Sequence, residues 1–318
     1  MTASRPVIKQ LDHLIARVDE PHALFSLLTE TFRLPVAWPL DVYPNFQSGG
    51  VALGNLYLEI LQCGPRRRAA AGEASAGRLR AIAFEAPAIE EADAELSRRG
   101  LPHTPAVPYV ERGADGSKTK IRSNVVLGKM LGSDFLFDTM VFMSRLPGAA
   151  SLSDAGAGGA FERWQFDNLF ARNFVFLVEL AYENFGDRPH WGEFSSHDEK
   201  RAHDLAQLRA HGGGALGLES VEEIVVGVKD LAAARELWRK LLAPVEETDE
   251  GLWKIADGPA VRLVASGADS IQALVLKVSS LERAETFLRE SDMVGTATEN
   301  QITIATSKIE GLEVRLVQ

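Results

Sequence analysis

The feature that most limits what this chain can fold into is an internal repetition, in which a strand, a helix and further strands recur four times along it. The first copy opens with Leu-Asp-His-Leu-Ile-Ala-Arg-Val at residues 11–18 and closes with Val-Ala-Leu-Gly-Asn-Leu-Tyr-Leu-Glu-Ile-Leu at 51–61. Both ends alternate as strands do. Between them Asp19 suits an N-cap and Pro21 a first helical turn. Leu24, Leu27, Leu28, Thr31 and Phe32 then follow helical spacing until Pro35 stops it. Extended segments at 37–42 and 46–53 complete the unit.

A second copy starts with a strand at 80–85 and a helix marked by Ile89, Ala92 and Leu96 that Gly100 ends. Extended segments are expected at 104–111 and 118–127. An insertion over 128–172 then delays the closing strand, expected at 173–180. Residues 182–194 are rich in aromatics and turn formers, and a polar helix at about 197–211 leads to Gly212-Gly213-Gly214, which reads as a hinge. The third copy runs from Glu222 through a helix capped by Asp230 to a strand at 261–265. The fourth begins at Ile271, has a Ser279/Glu282 capping box and ends in a strand at 312–318. The expected fold is therefore α+β, with four βαβββ modules in two paired-module domains. These are residues 1–192, a helical linker at 193–216, and residues 217–318.

Length agrees, since 318 residues exceed one ordinary core. No apolar run approaches the roughly 20 residues needed to span a bilayer, so a membrane partner is not expected. The single cysteine, Cys63, excludes an internal disulfide, and with no apolar signal core near the start a cytoplasmic location is expected. A net charge of −10 argues against nucleic acid. The basic run Arg66-Arg67-Arg68 sits in an Ala/Gly/Ser-rich stretch and reads as solvated linker.

Alternation along the strands puts Leu11, His13, Ile15 and Arg17 on one face, and Tyr57, Glu59 and Leu61 on one face of the closing strand. An imidazole and a carboxylate among apolar neighbours must be paired, hydrogen-bonded or metal-bound. In the late strand Val175, Leu177 and Glu179 share one face, and Phe174, Phe176 and Val178 the other.

The words LDHLIARV and VALGNLYLEIL, in this order of elements, resemble the vicinal oxygen chelate superfamily of glyoxalases, bleomycin-resistance proteins and extradiol dioxygenases. The resemblance implies a cup formed by two modules, with metal ligands on the first and last strand of each. Carried over, these are His13, Glu59 and Glu179, with Ala81 where a fourth ligand would stand. Such a set implies a divalent metal (Mn, Fe, Mg or Zn) acting as a Lewis acid on adjacent oxygens of a small-molecule substrate, with Glu59 and Glu179 as catalytic carboxylates. A direct hydrogen bond between His13 and Glu59 is the alternative. Tyr57, Arg17, Tyr182 and Trp191 are the candidate substrate contacts.

A metal-dependent isomerase or lyase is the first functional expectation. A metal-free binding or resistance protein is the second, and an extradiol-type dioxygenase, disfavoured by Ala81, the third. In the last two copies the matching positions hold Glu223, Ala273, Arg262 and Arg315, so the C-terminal pair is expected to be degenerate. The insertion, with Met130, Phe135, Phe137, Met140, Phe161, Trp164 and Phe166 as anchors, and the aromatic segment 182–191 are expected to wall the cup or to pack a homodimer partner.

Overall fold

The computed structural model describes residues 5–43, 45–63, 79–112, 117–131, 169–170, 172–186 and 190–318. The first sheet has eight strands: β1 (Gln10–Arg17), β2 (Val36–Val42), β3 (Phe46–Ala52), β4 (Tyr57–Cys63), β5 (Leu79–Glu85), β6 (Val107–Arg112), β7 (Lys118–Leu127) and β8 (Phe174–Leu180). Their order across the sheet is β2-β3-β4-β1-β5-β8-β7-β6. β1 runs parallel to β4 and β5 parallel to β8, while β1 and β5 meet antiparallel at the centre. The second sheet repeats this scheme with seven strands: β9 (Leu218–Val228), β10 (Leu252–Lys254), β11 (Ala260–Ala265), β12 (Ser270–Val278), β13 (Val294–Ala297), β14 (Ile302–Ile304) and β15 (Val314–Val317). Among the described residues five α-helices accompany them: α1 (Pro21–Ser26, prolonged by a π-helical turn Leu27–Thr31), α2 (Ile89–Arg98), α3 (His197–Ala210), α4 (Leu231–Leu242) and α5 (Leu281–Glu290). None is long and apolar enough to cross a membrane.

Alternation sorts the first sheet into two faces. Leu14, Ala16, Leu58, Ile60, Ile82, Phe84, Val175 and Leu177 face the helices and join one apolar cluster with Leu24, Leu96 and, from the second half, Ile224, Trp238 and Leu263. The two halves thus share a continuous core, closed by Phe84 against Trp238 at 6.3 Å and Phe32 against Phe287 at 5.8 Å. The other face carries Ile15, Leu61, Ala81, Ala83, Phe174, Phe176 and Val178 and forms the concave floor of a cup.

Three local expectations are corrected. α1 has Glu20, not Asp19, at its N-cap, and no side chain caps it. The cap of α5 is Ser280, whose hydroxyl accepts from Arg283 N at 3.1 Å, one residue beyond the box read at Ser279. Asp230 caps α4 as expected. The glycine run is no free hinge. Gly212, Gly213 and Gly214 sit at φ of 60°, 73° and 66°, Arg283 donates to the carbonyls of Gly212 and Gly214, and Ala215 N donates to Phe32 O at 2.8 Å. A Cβ at Gly214 would lie 2.2 Å from Phe32 O. The run is a left-handed turn wedged between the end of α1 and α5.

Candidate functional site

The cup floor is built from β1 and β4. A β-bulge between Leu11 and His13 breaks strict alternation, so Asp12 and His13 both reach the cup side. His13 pairs in register with Tyr57, and Ile15 with Glu59. His13 Nε2 lies 3.4 Å from Glu59 Oε2, and His13 Nδ1 lies 3.5 Å from Asp12 Oδ2. Ser48 of β3 donates to the other Glu59 oxygen at 2.6 Å, and Trp38 Nε1 reaches Ser48 at 3.5 Å. Trp38 and Phe176 stand edge-on to the imidazole, with ring centroids 6.5 and 5.6 Å away. The side chains of His13 and Glu59 keep 11% and 14% exposure, so the pair is largely but not wholly closed off from solvent.

The roof is α3, which the sequence presents as a polar linker. Its N-cap is Ser196, and its buried residues are His197, Lys200, Asp204 and Leu208. That spacing of three and four puts them on one helical face. His197 lies between the rings of Tyr57 and Tyr182, with Nδ1 2.8 Å from Glu85 Oε2 and Nε2 3.3 Å from Asp12 Oδ1. A buried line of polar groups therefore runs Glu85–His197–Asp12–His13–Glu59–Ser48. Beside it Asp204 Oδ2 accepts from Lys200 at 2.7 Å and from the Tyr57 hydroxyl at 2.9 Å. The Lys200 ammonium lies 5.1 Å from the Tyr57 and Trp191 ring centroids and 5.7 Å from that of Phe194. The cage compensates a lysine that water cannot reach. Lys9 and Gln10 donate to Asp198 and hold the first turn of α3 against the sheet.

Electrostatics follow from this packing. Burial alone would lower the His13 pKa, but the neighbouring Asp12 and Glu59 carboxylates outweigh it and hold the imidazole protonated above its usual range, with Arg122 opposing. Burial would raise Asp12 and Glu85, yet the histidines beside them leave both below the ordinary carboxylate range. Burial depresses Lys200, and Asp204 offsets only part of that. Burial raises Tyr57 and Tyr182, reinforced by the carboxylates around them.

The structure brings together some of the residues singled out from sequence. His13, Glu59 and Tyr57 meet on the floor, and Tyr182 and Trp191 stand in the aromatic wall against α3, with Trp191 5.5 Å from Trp38. Glu179 is not among them. It shares its face with Val175 and Leu177, on the helix side; its Oε1 accepts from Ile89 N at 3.3 Å and Lys120 lies 3.7 Å away. Its chemistry is to hold the start of α2. Arg17 is on the cup face, but donates to the carbonyls of Phe170 and Cys63 and serves as a brace. His103 is tied to Asp93, Ser97 and Leu101 O around α2. Of the insertion, Met130 is buried against the helix-side core and Leu169 and Phe170 pack on the cup floor. Phe135, Phe137, Met140, Phe161, Trp164 and Phe166 lie outside the described residues.

The metal set implied by the resemblance does not fit these residues. Ala81 pairs with Phe174 as His13 pairs with Tyr57, so the counterpart of Glu59 is Phe176, two residues on. Two of the four positions thus hold donors, and the others hold a methyl group and a phenyl ring. Among the described residues no group of three His, Cys, Asp or Glu side chains is arranged to hold a metal ion. In the second sheet Glu223 pairs with Arg262 at 2.8 Å and Arg315 lies 3.4 Å from Glu313, so those positions hold ion pairs.

No family model matches the chain, and no curated protein matches it. Solved structures do. An extradiol ring-cleaving dioxygenase from B. fuscum superposes with a TM-score of 0.54 at 13% identity, covering 100% of this chain and 74% of that one. The fold resembles that of the extradiol dioxygenases. Homoprotocatechuate 2,3-dioxygenase from Arthrobacter globiformis gives 0.54 at 12% identity, covering 100% and 81%. A hypothetical protein from Staphylococcus aureus gives 0.52 at 11%, covering 96% and 98%. At such identities the likeness concerns the fold.

Sequence reading missed Asp12, Ser48, His197, Lys200 and Asp204. The signal for the helix was present as ionisable residues at 197, 200 and 204 on one face. The signal for Asp12 was not, because a bulge leaves no mark in an alternating strand.

Proposed function

We propose that this chain is a vicinal oxygen chelate protein of paired βαβββ modules, with domains at about 1–192 and 217–318. Its N-terminal cup would bind a small oxygen-bearing molecule and act on it by acid–base chemistry of the isomerase or lyase kind. The observation that carries the reading is the His13 imidazole set 3.5 Å from the Asp12 and 3.4 Å from the Glu59 carboxylate, which together raise its pKa. Buried ionisable groups of this density are costly, and a cup is where catalysis uses them.

In this reading the carbonyl oxygen of a 2-hydroxy carbonyl compound accepts the proton on His13 Nε2, while Glu59 Oε2 takes the proton from the hydroxyl-bearing carbon, and an enediol forms. Glu59 then returns its proton to the former carbonyl carbon as the other enediol hydroxyl gives its proton to His13, which leaves the carbonyl shifted by one carbon and both side chains as they began. Ser48 holds the other Glu59 oxygen and fixes which lone pairs face the ligand. Asp12, oriented by His197, keeps the imidazole charged and aligned. Trp38 and Phe176 exclude water around the transfer.

The test is proton exchange. In heavy water, wild type incubated with a panel of 2-hydroxy and 2-oxo carbonyl compounds should place deuterium next to one carbonyl, and His13→Ala and Glu59→Gln should abolish it. Binding of panel members without any exchange would replace this reading with that of a metal-free binding protein. The fold likeness favours a second reading, ring-cleaving dioxygenase. Oxygen uptake with catechols after reconstitution with ferrous ion would support it, and Ala81 and Phe176 weigh against it.

A further inference from the structure

The β7 wall of the cup carries polar groups that the rest of the chain leaves unused. Arg122 lies opposite Leu180, Asn124 opposite Val178 and Val126 opposite Phe176, so all three share the face of the cup floor. Arg122 Nε, Asn124 Oδ1 and the Tyr182 hydroxyl are buried and have no hydrogen-bond partner among the described residues, and Tyr182 is only 7% exposed. Other cations of the cup are served: Arg17 and Arg201 donate to carbonyls and Lys200 to Asp204. Arg122 has the Tyr109 ring beneath it, 4.7 Å from the guanidinium carbon, and no oxygen acceptor among the described residues. The ring takes the face of the guanidinium and leaves its N–H edge for something else. Its charge is also felt at His13, where it opposes the protonated form.

Unpartnered buried polar atoms are uncommon; two of these three lie on β7, and the third is on Tyr182, in the turn that follows the neighbouring strand β8 and next to Leu180, which faces Arg122. A guanidinium edge matches a carboxylate, which takes two parallel N–H donors. A phenol in a site crowded with carboxylates remains an O–H donor, and the Asn124 carbonyl oxygen needs a donor from the ligand, such as a hydroxyl. We propose that Arg122, Tyr182 and Asn124 form a subsite for the carboxylate end of a small hydroxy acid, whose reacting carbon then lies over His13 and Glu59. This rests on reading the cup as a ligand site, and it narrows the ligand from oxygen-bearing molecules to carboxylic acids.

Isothermal titration with mandelate, 4-hydroxybenzoate and lactate, each beside its own amide, tests the assignment. At least one acid should bind wild type about tenfold or more tightly than its amide, the effect of one charge-assisted contact. Arg122→Gln should bring that ratio to near one by weakening the acid far more than the amide, and Arg122→Lys should restore part of it. Phenylglyoxal labelling of Arg122 in wild type, slowed by the acid and not by the amide, gives the same answer should the glutamine variant fail to fold. If acid and amide bind equally and His13→Ala weakens both, the cup is a ligand site and the carboxylate subsite is wrong. If no pair binds at all, both readings fall.

Discussion

Removing one charge from beneath the α3 roof should be far more damaging than removing the whole polar cluster. Lys200 and Asp204 keep 1% and 6% of their side-chain surface, and Asp204 Oδ2 also accepts from Tyr57. Asp204→Asn strands the ammonium among three rings, and breaking a buried pair in this way costs about 3–5 kcal/mol. Lys200→Met leaves the buried Asp204 charge with the Tyr57 hydroxyl as its donor and should likewise cost about 3–5 kcal/mol. The triple variant Lys200→Met, Asp204→Leu, Tyr57→Phe leaves no charge or hydroxyl without a partner and should lie within about 2 kcal/mol of wild type. Urea unfolding followed by tryptophan fluorescence measures all three. The shared core predicts one transition, so the midpoints compare directly. Should the triple variant lose as much as the single variants summed, the cluster contributes net stability and the reasoning fails.

Three further outcomes follow from the site. Glu179→Ala should cost about 0.5–2 kcal/mol through the start of α2 and leave deuterium exchange in the cup unchanged; lost exchange would return Glu179 to the reaction. Ala81→His with Phe176→Glu places donors at the two vacant positions. Elemental analysis should then find close to one divalent ion per chain, against far less in wild type, and a stoichiometric ion in wild type would overturn the fit argument. The raised His13 pKa contributes stability that is complete below its ordinary value of 6.5 and lost as pH rises through its folded value, while that of Glu85 is present above 4.5 and lost as pH falls. The urea midpoint should therefore be highest between these values, and His13→Asn should flatten the alkaline side. An alkaline fall that persists in that variant would assign the effect elsewhere.

Much of this site can be read from the sequence where a single rule governs. His13 and Glu59 lie on strands with one polar side chain among apolar neighbours, and alternation alone brings them to one face. Glu179 obeys the same alternation, and the face it shares with Val175 and Leu177 meets the helices. Both faces of β8 are apolar, because one meets helices and the other the cup, so nothing local tells them apart. The parallel register with β5 decides it, and register is a long-range property. α3 hid for a different reason. Composition assigns charged residues to solvent, whereas His197, Lys200 and Asp204 are buried because each finds a partner on the sheet or on its own helix. The Asp12 bulge has no sequence mark.

The wedged glycine turn has a consequence for how substitutions would be tolerated. A mutational scan should treat two glycines with similar surroundings in the sequence in opposite ways. Gly267, with open space where a Cβ would go, should accept most residues, while Gly214 should accept none. Residue-by-residue sensitivity would then trace the close approaches of Gly213 to Leu218 and of Gly214 to Phe32, and glycines resembling an inert spacer would rank with the core among the least replaceable positions in the chain.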